Sequence, residues 1–371
     1  MAEGVEKILV RGVNWLGDAV MTTPALQRLR AARPAAHITL LTPVKFADLW
    51  RGHPSLDAVL TFGAGESAWS VGRRLRVERF NTAVVFPNSP RSALETFLAR
   101  IPQRIGGRGK WRSLFLTVAL PPRPGVVLMR KRTEREIQRR IETGVTRETF
   151  PSAAHHIHHY LQLVGALGAE TAPLPPLLHV GAEEVAAMRA RLGLTEGQTY
   201  FVLNPGAEYG AAKRWPAESF AEAAVQLHER TGCHWIVTGG AADRELADGL
   251  TRQIGGRIGM EKIASVAGET TLRELCALLR TAALVLTNDT GPMHVAAAVG
   301  TPVVVPFGST APELTGPVCT PAAPHQLILG DAPCAPCFLR ECPIDFRCMK
   351  GISVARVVTA VLSSWGRGAR G

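Results

Sequence analysis

The strongest constraint on this chain is periodic: short, largely apolar runs recur along it and alternate with amphipathic stretches. In the first half these runs are Ile8-Leu9-Val10, Ile38-Thr39-Leu40-Leu41 and Ala83-Val84-Val85-Phe86. In the second half they are Tyr200-Phe201-Val202-Leu203, Trp235-Ile236-Val237-Thr238, Leu284-Val285-Leu286-Thr287 and Val303-Val304-Val305. A run without a polar alternation reads as a strand buried on both faces, and strands alternating with helices build parallel sheets. Helical spacing follows the first run, with Ala25, Leu26 and Leu29 on one face, and returns over 218–230 and 272–280. Between the two sets lies Ala172-Pro173-Leu174-Pro175-Pro176, whose prolines make a stiff, extended linker. The 371 residues suit two domains of ordinary size. The expectation is an α/β protein of two Rossmann-like domains, over 1–175 and 180–371, with parallel sheets facing a central cleft. A last amphipathic helix over 353–363 can pack on either domain.

Composition narrows the function classes. With 46% apolar and 20% charged residues the chain is an ordinary globular protein rather than a disordered one. Its apolar runs, Val303-Val304-Val305-Pro306-Phe307 among them, fall far short of the roughly 20 residues that span a bilayer. Met1-Ala2-Glu3-Gly4-Val5-Glu6-Lys7 lacks the basic and apolar regions of a secretory signal, so a cytoplasmic protein is expected. Charge is unevenly placed. Residues 1–180 carry 25 Lys and Arg against 13 Asp and Glu, a net +12, whereas 181–371 carry 17 against 18, a net −1. The basic half suits a polyanionic partner: nucleic acid, an anionic membrane face or a phosphorylated glycolipid. The competing structural reading is solvated, arginine-rich helix faces. The basic runs carry few aromatics for base stacking and no nucleic-acid module is visible, so a nucleic-acid-binding protein is the remote alternative.

Three turns can carry chemistry. Asn288-Asp289-Thr290-Gly291-Pro292-Met293-His294 joins an apolar strand to an apolar helix. Ligands of open α/β sheets bind at strand carboxyl ends. This turn offers helix N-terminal amides, a glycine for close approach and a proline preset for the first helical turn, which together suit a diphosphate. Taken singly, Asp289 or Thr290 can instead cap the helix and His294 can be a core histidine. The second turn, Asn204-Pro205-Gly206-Ala207, leads to Lys213-Arg214-Trp215-Pro216, where a lysine can set a point charge on a phosphate or simply face solvent. The third, Asn14-Trp15-Leu16-Gly17-Asp18, lacks the G-x-G-x-x-G spacing of a dinucleotide site. Asp18 offers a carboxylate for general-base work on an acceptor hydroxyl, with helix capping as its structural alternative.

The cysteines divide into two sets. Cys233, Cys276 and Cys319 are isolated and read as buried small apolar residues. Cys334, Cys337, Cys342 and Cys348 form a compact cluster, for which structural zinc, reduced thiols and redox-labile disulfides all stay open.

Gly17-Asp18, Asn204-Pro205-Gly206-Ala207 with Lys213-Arg214-Trp215-Pro216, and Asn288 to His294 together resemble the ADP-heptose:lipopolysaccharide heptosyltransferases, glycosyltransferase family 9. The stretch Phe307-Gly308-Ser309-Thr310-Ala311-Pro312-Glu313-Leu314-Thr315-Gly316-Pro317 and the cysteine cluster strengthen the likeness, which runs from the first strand to Cys348. Within the family, the Asn-Pro-Gly-Ala turn and the cysteine tail favour the member that adds the second inner-core heptose over the one that adds the first; the first-heptose enzyme or a later core heptosyltransferase is the alternative. The resemblance implies a GT-B fold and inverting transfer of heptose from ADP-heptose to a heptosyl-Kdo-lipid A core acceptor. It implies Asp18 as the catalytic base, Lys213 against the pyrophosphate, and Asp289, Thr290, Gly291 and His294 lining the donor site. Asp243 and Glu245 both remain open as the acid that holds the ribose. No cofactor and no metal enter the reaction so read, since helix amides and a lysine can stabilise the departing diphosphate. The expected partners are the donor, the lipid-linked acceptor and, peripherally, the anionic cytoplasmic leaflet of the inner membrane, without nucleic acid. A related sugar-nucleotide epimerase is a more distant reading.

Overall fold

A computed structural model of the chain describes residues 5–195, 197–318 and 325–368. Among these, twelve strands form two six-stranded sheets, parallel throughout. The first sheet holds β1 (Lys7–Arg11), β2 (His37–Pro43), β3 (Ala58–Phe62), β4 (Thr82–Val85), β5 (Gln103–Gly107) and β6 (Val118–Leu120). The second holds β7 (Tyr200–Asn204), β8 (His234–Val237), β9 (Ile263–Ser265), β10 (Leu284–Thr287), β11 (Val303–Phe307) and β12 (Gln326–Leu329). Their orders, β3-β2-β1-β4-β5-β6 and β12-β11-β10-β7-β8-β9, are the same Rossmann order read from opposite ends. Each sheet therefore reverses direction at one point, between β1 and β4 or between β7 and β10, and a loop following each of those strands opens there.

All seven apolar runs lie on these strands or reach one residue past them, and β4, β7, β10 and β11 are buried along their whole length. The helices form where sequence supplies both a stripe and a start signal. Thr271 and Glu274 make a reciprocal capping box before the helix Leu272–Thr281, which buries Cys276, Ala277, Leu278 and Leu279. The helix Ala217–Thr231 buries Phe220, Ala224 and Leu227 and stops at Gly232, whose φ of 66° is the left-handed conformation that glycine adopts cheaply.

The chain divides into two compact units, and the division differs from a single cut near 175–180. The first unit contains the residues up to Val126 together with Ala153–His179; the second contains Val127–Ser152 together with the residues from Val180 on. The reason is hydrogen bonding. Arg132 donates to the Pro336 carbonyl, Arg140 to Pro333, and Arg147 to Gly308, Gly330 and Thr310, all in the second unit. By sequence the first unit then carries 18 Lys and Arg against 9 Asp and Glu (net +9), and the second 24 against 22 (net +2). The proline-rich linker is strapped down within the first unit: Gln27 and Arg28 donate to the carbonyls of Pro175 and Ala172, and the Leu177 amide donates to Thr23. The final helix, Val354–Gly368, packs against the second sheet and the helix Ala217–Thr231. No helix among the described residues is long and apolar enough to cross a membrane.

Candidate functional site

In the second unit the two loops at the reversal point are tied together by two buried asparagines. The Asn204 side chain, at the end of β7, donates to Thr287 on β10 (2.8 Å). Asn288 donates to the Pro205 carbonyl (2.7 Å) and accepts from the Trp215 amide (2.9 Å). Both are almost wholly buried, so each bond replaces water and fixes one loop against the other. Gly206 allows the close approach of a third loop, because a Cβ there would lie 2.4 Å from the Asp243 carboxylate.

This frame delivers Lys213 to Asp289. The Lys213 ammonium stands 2.6 Å from Asp289 Oδ2, which also accepts from the Thr310 hydroxyl at 2.6 Å. Burial opposes ionisation of Asp289, but Lys213, Thr310 and His294 outweigh it and hold the carboxyl below its ordinary range. Lys213 also lies 5.0 Å from the Tyr209 ring, whose other cationic neighbour is Arg340 at 5.1 Å. The helix Gly291–Ala298 begins directly beside this pair. Thr290 is its N-cap residue, with an extended backbone and no side-chain bond to the helix amides. The capping alternative thus does not employ its hydroxyl, and Asp289 is engaged by Lys213 and Thr310. Five sequence-derived residues, Lys213, Asp289, Thr290, Gly291 and His294, are therefore gathered at one reversal point. The arrangement can hold an anion: a lysine, a helix N-terminus and a hydroxyl converge at the carboxyl ends of two strands. Asp243 bonds the Gly240 amide and lies 3.5 Å from Arg214, whereas Glu245 is exposed.

Asp18 belongs to the first unit. It sits in the first turn of the helix Leu16–Met21, just past the end of β1, and is half-buried. The N-cap of that helix is Trp15, so Asp18 is not the capping residue. Its surroundings include Tyr160, fully buried, whose phenol is pushed well above its usual range by burial and then by the Asp18 charge. The Tyr160 hydroxyl lies 3.1 Å from His156 Nε2, and His156 stacks on His159. Burial, followed by His156 next door, lowers His159 to about 4, so it is neutral at physiological pH. Arg112, from a turn after β5, is also buried there, donating to Asn88 (2.6 Å) and lowered to about 10 by desolvation.

Sequence reasoning missed Thr310 and Tyr209 beside Lys213 and Asp289 in the second unit, and Tyr160, with His156 and His159 next to it, in the surroundings of Asp18 in the first. The histidines carried a signal, since His155-His156-Ile157-His158-His159-Tyr160 is an unusual run, whereas Thr310 and Tyr209 carried none. Among the described residues, no three His, Cys, Asp or Glu side chains already stand at coordinating range of a single point. Cys233 and Cys276 are buried singly, and Cys319 lies outside the described residues.

The family model for glycosyltransferase family 9 (heptosyltransferase) matches residues 68–346. The chain is 32% identical to the lipopolysaccharide heptosyltransferase 2 of Salmonella typhimurium and, equally, to that of Escherichia coli K12. Each alignment runs over 337 residues, covering 87% of this chain and 89% of the relative. The solved ADP-heptose lipopolysaccharide heptosyltransferase II of E. coli superposes with a TM-score of 0.77 at 27% identity, covering 98% of this chain and 99% of that one. Two parallel Rossmann-like units with these likenesses define a glycosyltransferase of the GT-B fold. The chain belongs to glycosyltransferase family 9, the heptosyltransferase family.

Proposed function

We propose that this glycosyltransferase moves L-glycero-D-manno-heptose from ADP-heptose onto a heptosyl-Kdo-lipid A core, the reaction of a heptosyltransferase II. The observation that carries the reading is the Lys213–Asp289–Thr310 constellation beside the helix Gly291–Ala298, in a chain 32% identical to two enzymes named heptosyltransferase 2.

Inverting transfer is one in-line displacement. The acceptor hydroxyl oxygen bonds to the anomeric carbon as the bond to the diphosphate oxygen breaks, with ADP leaving. Asp18 accepts the hydroxyl proton. Lys213, the amides opening the helix at Gly291 and the Thr290 hydroxyl face the charge that develops on the diphosphate, while His294 lines the same turn. Asp289 holds Lys213 in place and, with Thr310, sets where its ammonium points. The peripheral membrane reading rests on the first unit, where the helices Ala68–Val77 and Pro90–Leu98 and the turn Arg112–Phe115 pack in a row. They expose Trp69, Val77, Phe97 and Leu114 among Arg73, Arg76 and Arg100. Such a mixture suits an anionic lipid surface.

The test is transfer from ADP-heptose to purified core acceptors bearing either no heptose or one. Product on the one-heptose acceptor alone is expected. Transfer only to the heptose-free acceptor would make this a heptosyltransferase I. In the same assay Asp18→Ala should lose at least about 100-fold in kcat, within the usual range for a general base, with ADP affinity nearly unchanged. A matching collapse in ADP affinity would assign Asp18 a structural or donor-binding role instead.

A further inference from the structure

The four clustered cysteines take no part in the transfer, yet the fold brings them together. Cys334, Cys337, Cys342 and Cys348 all line one small cavity of about 10 Å³, room for a single water-sized sphere. Three of the four are buried and Cys342 is half-buried. Backbone amides are turned onto the sulfurs: the Phe346 amide donates to Cys342 Sγ at 3.3 Å, and the Leu339 amide donates to Cys337. Two bulky residues adopt left-handed backbone to make those turns, Phe338 at φ 57° and Phe346 at φ 59°. That conformation is unfavourable for phenylalanine and persists only where the surroundings impose it. Positive charge also faces the cluster. Arg147 is buried and lies near Cys334 and Cys348 as well as Glu313 and Asp331, and Arg347, paired with Asp345, lies near Cys334 and Cys342.

We propose that Cys334, Cys337, Cys342 and Cys348 are a structural tetrathiolate site for a soft, tetrahedrally coordinated divalent cation, zinc or ferrous iron. Each thiol gives its proton to solvent on binding, so one dication and four thiols yield a site of net charge −2 and four protons. Arg147 and Arg347 offset that charge, and the sulfur-directed amides stabilise the thiolates. Metal–sulfur bonds of roughly 2.3 Å require the sulfurs to draw inward on the cavity from their present positions. Four cysteines leave no open coordination position, so the ion is a clasp and not a catalyst.

What it clasps is specific. The Cys337 and Phe338 amides donate to the Ser309 carbonyl, next to Thr310, which holds Asp289. The Ala212 amide donates to the Arg340 carbonyl and the Tyr209 hydroxyl to the Phe338 carbonyl, bracing the loop that carries Lys213. Gly210, at φ 152°, is pressed so close that a Cβ would lie 2.3 Å from the Arg340 carbonyl oxygen. One segment therefore grips both loops of the anion site. This consequence rests on the donor-site reading; the metal site itself does not.

The experiment is elemental analysis of the full chain, purified under reducing conditions without a metal-chelating tag, alongside ADP titration. About one zinc or one iron per chain is expected, the analysis itself telling the two apart. Cys342→Ser and Cys348→Ser should fall well below that ratio, while Cys276→Ala, away from the cluster, keeps it. In the wild-type protein, blocking thiols with a mercurial should release the metal and weaken ADP binding by roughly tenfold as the Lys213 loop loosens. That measurement does not depend on the variants folding. Less than a tenth of an equivalent of metal, both as purified and after incubation with Zn²⁺, overturns the proposal. So does a disulfide among the four in the reduced preparation. Metal without ADP binding would defeat the donor-site reading and leave the tetrathiolate standing; ADP binding without metal does the reverse.

Discussion

At the scale of single residues, the proposed anion site rests on the pairing of Lys213 with Asp289. A buried lysine beside nothing would lose its proton, and a buried aspartate beside nothing would gain one. In this chain the two side chains meet 2.6 Å apart as an ion pair, and the Thr310 hydroxyl fixes which carboxylate oxygen is shared. On the proposed function, removing the cation hurts twice, by deleting the proposed phosphate contact and by leaving Asp289 buried without its partner. Lys213→Ala is expected to weaken ADP binding about 10- to 100-fold, the range for hydrogen bonds to charged groups, and calorimetric titration reads this directly. Unchanged affinity would remove Lys213 from the donor site. These residues were legible in the sequence because they follow strands at their carboxyl ends, where parallel sheets put ligands. Thr310 was not, since its partner is 21 residues away and only the pairing of β10 with β11 makes them neighbours.

At the scale of elements, the central strands were readable and the outer ones were not. β1, β2, β4, β7, β8, β10 and β11 are the runs that composition marks. The five strands the reading left out are β3, β5, β6, β9 and β12, of which four form sheet edges. An edge strand is half-covered, so its sequence need not be wholly apolar; Gln103–Gly107, next to an edge, even carries Gln, Arg and two glycines. The helix Pro90–Leu98 hides a different device. Its Glu95 is fully buried and 2.8 Å from Arg11 on β1, whose guanidinium also covers the Phe62 ring at 4.2 Å. This pair pins the helix to the end of the central strand. Glu95→Ala should cost about 3–5 kcal/mol in chemical denaturation, because it strands a buried guanidinium. Arg91→Ala, which removes Glu95's exposed partner and a bond to the Glu66 carbonyl, should cost under about 1 kcal/mol. Equal losses would mean the buried pair has no special role.

At the scale of the whole molecule, charge is partitioned between the units. The sequence places a net +12 in residues 1–180, but the basic segment Val127–Ser152 joins the second unit and leaves +9 on the first. That remainder, interleaved with exposed Trp69, Phe97 and Leu114, is what the membrane reading uses. Vesicles containing anionic lipid should retain the protein at low ionic strength and release it as salt rises, and a Trp69→Ser/Leu114→Ser variant should bind at least several-fold more weakly at equal salt. Equal retention on neutral vesicles would refute an electrostatic contact. The domain count followed from length and periodicity. The exchange of one segment did not, because it depends on where three arginines find carbonyls nearly 200 residues away.

The chain passes between the units after Val126, after Ser152 and after His179. The units are thus threaded rather than strung, which limits modularity. A protease or gene boundary placed in the proline-rich segment 172–176 would not free two self-sufficient halves. The N-terminal fragment would carry away Arg132, Arg140 and Arg147, and the C-terminal fragment would keep their carbonyl acceptors without donors. Swapping the two units between relatives therefore requires moving Val127–Ser152 with the second unit, not with the first unit that precedes it in the gene.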